Sequence, residues 1–184
     1  MNAPVIPPSP YSSALGKAAS SERHTLSVLV DNEPGVLARV VGLFSGRGYN
    51  IESLTVAEVA HGEHLSRITI VTSGPPEAIE QISHQLERIV PIHKVTDLTV
   101  RGRSIERELA MIKVRGKGDH RTEAMRLAEA FKAKIIDATI ESFVFELTGA
   151  PAKIDDFVEL MRPLGLVEMS RTGVAAITRG AEAI

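Results

Sequence analysis

Cysteine and tryptophan are absent from the 184-residue chain, and aromatic residues make up only 4% of it. Without a thiol there is no disulfide framework, no thiolate nucleophile and no sulfur-ligated metal. Scarce aromatics remove the stacking platform on which RNA-binding sheets depend. No apolar run approaches the length of about 20 residues that a membrane-spanning helix needs. A large excess of one sign of charge is also missing. The 21 basic and 23 acidic residues leave a formal net charge of −2, which argues against nucleic acid or a membrane surface as partner. What is present, 43% hydrophobic and 24% charged residues, is the profile of a globular chain of one ordinary domain or two small ones, expected to be cytoplasmic.

Residues 1–23 are rich in Pro, Ser, Ala and Gly and carry no apolar periodicity, which predicts a disordered tail. They lack the basic start and apolar centre of a secretory signal. Residues 181–184 are expected to form a short tail at the other end.

Leu26, Val28 and Val30 alternate with their neighbours, as in a half-buried strand, and Leu37, Val40, Val41 and Phe44 then fall at helical spacing up to Gly46 and Gly48. Residues 51–59 and 65–72 read as a hairpin. Pro75 and Glu77 open a second helix with Ile79, Ile82, Leu86 and Ile89 as its inner stripe, and residues 92–100 return to strand character. The polar Arg101-Gly102-Arg103-Ser104 marks a domain boundary, after which the order repeats. Residues 109–114 form a strand, and Asp119 is expected to cap a helix with Ala124, Leu127, Ala128 and Phe131 on one face. Residues 134–140 and 143–148 pair, Pro151 starts a helix, and 166–178 close the unit. The predicted class is α+β: two successive ferredoxin-like βαββαβ units over 24–100 and 105–180. Each leaves open sheet edges, so pairing side by side in a dimer is expected.

The chemistry concentrates at Asp31-Asn32-Glu33-Pro34-Gly35-Val36-Leu37, where a strand turns into a helix. Pro34 suits the entry to a helix, and Gly35, lacking a Cβ, lets backbone N–H groups approach a ligand. Unpaired N–H groups at the positive end of a helix seat a carboxylate, and the Asn32 amide offers an acceptor for an ammonium group. A free α-amino acid carries both. A plain Pro-Gly turn is the competing reading of the same residues.

Other constellations carry less. His61 and His64 lack the i, i+4 helical spacing of a shared metal site, and the remaining histidines are expected to be mostly solvated. Gly116-Lys117-Gly118-Asp119-His120-Arg121 resembles a phosphate cradle without the ending of a P-loop. Arg101, Arg103, Arg107 and Arg115 form a basic cluster that suits an acidic partner surface.

The runs from Asp31 to Leu37, Leu43 to Leu54 and Leu65 to Thr69, with Arg107 to Val114, Ile135 to Asp137 and Gly173-Val174, resemble the small, regulatory subunit of acetolactate synthase, or acetohydroxyacid synthase. The first unit is then similar to an ACT domain, the effector-binding module of many amino-acid-regulated proteins. The resemblance implies a chain with no catalytic residues or cofactor of its own. Its partner is a catalytic subunit carrying thiamine diphosphate, with Mg and FAD, which it activates and subjects to feedback inhibition by valine. By motif, the effector contacts are Asn32 and Gly35 of one subunit and Asn50 of the other, with Val36 and Leu37 alongside. The alternative is an ACT-type amino-acid sensor controlling another enzyme or a transcription factor. An acylphosphatase of the same βαββαβ order is disfavoured by the acidic Asp31 and Glu33, which repel phosphate.

Overall fold

The computed structural model of the protein describes residues 21–60, 62–100 and 104–181. Its first half runs β1 (Glu22–Asp31), α1 (Val36–Arg47), β2 (Ser53–Ala60), β3 (Leu65–Gly74), α2 (Pro76–Leu86) and β4 (Ile92–Asp97). Residues 22 and 23, assigned from sequence to the tail, are thus the first of β1. The second half runs β5 (Ser104–Arg115), α3 (Asp119–Phe131), β6 (Lys134–Ala138), β7 (Ser142–Gly149), α4 (Pro151–Met161), β8 (Leu166–Arg171) and β9 (Ala175–Thr178). The sheets are ordered β2-β3-β1-β4 and β6-β7-β5-β8, with β9 pairing β5. Both halves are βαββαβ units with antiparallel sheets, as the residue pattern predicts.

In the first unit Leu26, Val28 and Val30 of β1 and Ile68 and Ile70 of β3 turn toward Val36, Val40 and Phe44 of α1 and Ile79, Ile82 and Leu86 of α2. Each fully buried side chain of this size contributes about 1.5–3 kcal/mol. The end of α1 is set locally. Gly48 adopts a left-handed conformation and its N–H reaches the Ser45 carbonyl, while Tyr49 N–H reaches that of Phe44. The Tyr49 ring then meets Phe44 edge-on, with centroids 6.3 Å apart, closing a Schellman motif with its apolar contact.

β1 is not half-buried. Thr25 and Ser27, on the face away from the helices, are buried as well. The reason lies in the second unit. Residues 166–178 do not form one closing strand; they break at Thr172–Val174 into β8 and β9. β9 pairs with the first four residues of β5, Ser104–Arg107. Val174 and Ala176 pack there with Val71 of β3 and Leu98, making a small apolar core shared by the two units. The boundary expected from sequence is therefore bridged by packing. Asp119 is also displaced from its expected role: Gly118 caps α3 and Asp119 is the first helical residue. Its charge still faces the positive end of the helix.

Candidate functional site

Glu33-Pro34-Gly35-Val36 forms a tight turn closed by the Val36 N–H on the Glu33 carbonyl at 3.5 Å. Gly35 has φ 88° and ψ −11°. That is the third position of a type II turn, which demands positive φ, with Pro34 pre-set at the second. Pro34 is thus a turn residue and not the first residue of the helix, which starts at Val36. No side chain caps α1, and its first turn holds no acidic residue. The N–H groups of Leu37 and Ala38 have no intrahelical carbonyl to reach, and the helix dipole adds partial positive charge at the same place.

Asn32 is anchored through its main chain, whose N–H reaches the His64 carbonyl at 2.6 Å. Its exposed side chain has no partner among the described residues. The adjacent Asp31 is held by His93, 2.6 Å from its carboxylate. Val36 is 3% exposed and its side chain belongs to the core, so only its main chain faces outward. Leu37, 40% exposed, presents its side chain to the surface beside the turn.

Asn50 sits beyond the opposite end of α1. Twelve helical residues separate it from Gly35, and a helix of that length spans about 18 Å. One chain therefore keeps Asn32 and Gly35 together and holds Asn50 apart from them. The Asn50 carbonyl accepts from the Thr72 hydroxyl at 2.6 Å, and its exposed side chain has no partner among the described residues.

From Asn50 the chain enters β2, which the residue pattern treats only as a strand. Structurally it is one of the places where the two units touch. Val174 N–H donates to Ser53 Oγ at 2.9 Å, and Thr55 Oγ1 donates to the Val174 carbonyl at 2.9 Å. Gly173, with φ 83°, lies so close that a Cβ on it would stand 2.7 Å from Ser53 Oγ. A glycine inside a predicted strand was the available signal, since it marks a bulge or a close backbone approach.

Beside this latch lies an interdomain cleft of about 460 Å³ lined by Arg23, Glu52, Glu108, Asp155 and Arg171 among others. Arg171 clamps Glu108 with two nitrogens, Nε at 2.7 Å, and reaches Asp155 at 2.6 Å. Hydrogen bonding to Glu108 holds its guanidinium above the ordinary value, against the effect of burial. Glu108 is 5% exposed. Arg171→Met is expected to leave that carboxylate uncompensated and to cost about 3–5 kcal/mol, read from urea unfolding. Adding Glu108→Gln in the same chain should recover a large part of the loss.

The remaining candidates separate cleanly. His24 is not solvated: it is 6% exposed, with Nδ1 2.6 Å from Asp97. His61 lies outside the described residues, and among those described no three His, Cys, Asp or Glu side chains gather as for a metal. The 116–121 turn spends its cations internally. Lys117 pairs with Glu141 at 3.0 Å, and Arg121 donates to the carbonyls of Thr139 and Ile140 while stacking on Phe143. Of the basic cluster, Arg101 and Arg103 lie outside the described residues, and Arg115 faces Glu141 at 3.4 Å.

A family model described as the small subunit of acetolactate synthase matches residues 107–180, and one described as an AHAS small subunit-like ACT domain matches residues 26–94. The acetolactate synthase isozyme 3 small subunit of Escherichia coli is 43% identical over 159 residues, covering 86% of this chain and 96% of that one. The chain belongs to the acetolactate synthase small-subunit family. The acetolactate synthase small subunit of Mycolicibacterium smegmatis is 40% identical over 161 residues, 88% of this chain and 94% of its own. The crystal structure of the small subunit from Thermotoga maritima superposes with a TM-score of 0.78 at 40% identity, covering 88% of this chain and 99% of that one. As a member of this family the chain is a regulatory subunit, and the chemistry of branched-chain amino acid biosynthesis that the family name denotes resides in the large subunit. A sensor attached to an unrelated enzyme is set aside by a likeness that runs through both units. No helix among the described residues is long and apolar enough to cross a membrane.

Proposed function

We propose that this chain activates the thiamine-diphosphate-dependent catalytic subunit of acetolactate synthase and makes it sensitive to feedback by valine. The reaction is the condensation of pyruvate with pyruvate or 2-oxobutyrate, and thiamine diphosphate, Mg and FAD belong to the catalytic subunit. The observation that carries the sensing role is the uncapped start of α1 at Gly35, beside the unpaired Asn32 side chain. Main-chain N–H groups there hold the effector's carboxylate, and the Asn32 amide accepts from its ammonium group.

The helix-length gap of about 18 Å to Asn50 calls for a second copy. A two-fold axis that sets α1 antiparallel to its counterpart brings the Gly35 end of one helix to the Asn50 end of the other. β2 is an edge strand with Val56 and Val59 45% and 47% exposed, so pairing along that edge also covers an open side of the sheet. Leu37 then lines the seat of the aliphatic tail. One methylene in such a pocket is worth about 1–3 kcal/mol, so valine, leucine and isoleucine are separated by modest factors.

The deciding experiment mixes the chain with its catalytic subunit and follows acetolactate formation against added valine. Activation by the chain followed by saturable inhibition is expected. Activation with no response to valine, leucine or isoleucine would leave an activator without a sensor.

A further inference from the structure

Helices α1 and α2 leave between them an open groove of about 680 Å³, bounded by Arg39, Leu43, Arg47, Arg88, Ile89 and Val90 among others. From Pro34 to Ile51 the chain contains no Asp or Glu, so α1 brings only cations to this groove. Arg39 spans it to donate to the Val90 carbonyl at 2.6 Å. Arg47 and Arg88 are exposed and make no ion pair among the described residues. The nearby carboxylates Glu80, midway along α2, and Glu87, its C-cap residue, lie beside His84 at 3.7 and 3.6 Å and do not line the groove.

A chain of net charge −2 has no general excess of cations to place here. Between the guanidiniums the floor is apolar: Leu43 and Ile89 are half-buried and Val90 is 76% exposed. An apolar centre rimmed by arginine is the composition of protein interfaces, where arginine is enriched and lysine is depleted.

We infer that the α1–α2 groove receives an acidic segment of the catalytic subunit, its carboxylates on Arg47 and Arg88 and an aliphatic side chain against Leu43 and Val90. The inference rests on the proposed pairing with that subunit. It also gives α1 two tasks, because the helix that starts at the effector seat forms one wall of the docking groove. A shift of α1 on effector binding reaches the catalytic subunit through a single rigid element.

The test uses the full chain and its catalytic subunit and reads the small-subunit concentration giving half-maximal activation, at low and high salt. Arg47→Glu with Arg88→Glu is expected to raise that concentration about tenfold or more, with an unchanged melting temperature. Added salt should weaken activation by the wild-type chain and relieve the repulsion in the charge-reversed variant, narrowing the difference between them. Arg47→Gln with Arg88→Gln should give a smaller rise in the same direction. Arg126→Glu, on α3 of the other unit, should leave the concentration where it was. Equal half-activation by wild type and the double variant overturns the docking site and leaves the proposed function standing. A loss of the same size from Arg126→Glu assigns the effect to net charge and overturns it too. Failure of the wild-type chain to activate overturns both readings.

Discussion

With Gly35→Asp, the reconstituted enzyme is expected to keep its activation and lose its valine response, the half-inhibitory concentration rising by about a hundredfold or more. Space is not the obstacle, since a Cβ on Gly35 has nothing within 4 Å. Two other effects are. At φ 88° an ordinary residue carries left-handed strain, of about 1–2 kcal/mol, which a folded domain tolerates. The larger effect is electrostatic. A carboxylate at the start of α1 takes up the free N–H groups and the dipole field that the effector's own carboxylate needs, and repels what it does not displace. Gly35→Asn separates the two, because asparagine enters the left-handed region readily and carries no charge. It should retain most of the valine response. Equal losses from Asp and Asn would point to backbone geometry, and full inhibition of the Asp variant at the wild-type concentration would remove the effector from this turn.

The second large effect is expected from Gly173→Ala. The methyl group would sit 2.7 Å from Ser53 Oγ and 3.0 Å from Thr55 Cγ2, on a residue already at φ 83°. Left-handed strain of about 1–2 kcal/mol adds to an overpacking cost of about 1–3 kcal/mol. For a chain of this size that lowers the melting temperature by roughly 5–15 °C. The functional result is the more telling. The Val174 bonds to Ser53 and Thr55 start three residues after Asn50, so they are the short route from the proposed effector site to the second unit. A two-site coupling of about 1–3 kcal/mol changes a response by several-fold to a hundredfold. Calorimetry should therefore find valine still bound by Gly173→Ala, while inhibition of the reconstituted enzyme is weakened several-fold. Ser53→Ala, which strands the Val174 N–H, should act the same way with a smaller thermal shift. Unaltered inhibition in both variants would mean that the signal leaves the first unit by another path.

How much of this is legible in the residues differs from place to place. The strand and helix order is, because Leu26-Val28-Val30, Val40-Phe44 and Ile79-Ile82-Leu86 keep the period of their element over its whole length. So is the end of α1, where Gly48 and Tyr49 act on carbonyls of the same turn. Asn32 and Gly35 stand out for the same reason, as neighbours in a turn whose geometry is local. The burial of Thr25 and Ser27, the split of 166–178 and the fate of Arg171 are not legible. Each depends on a contact between residues that are remote in the chain, such as Glu108 with Arg171 or Thr55 with Val174. Nor is the burial of His24 legible, its partner Asp97 being brought up only by pairing of β1 with β4.

From its residues alone this chain is determined to be two βαββαβ units with a Pro-Gly turn at Gly35 that opens the first helix, because periodicity and turn chemistry act over a handful of neighbouring positions. Only the tertiary structure decides that the units share a core through Val174, that Asn50 stands a helix-length from Gly35, and that Arg47 and Arg88 flank one groove. Those relations are set by how sheets and helices pack, and packing distance is not written in sequence distance.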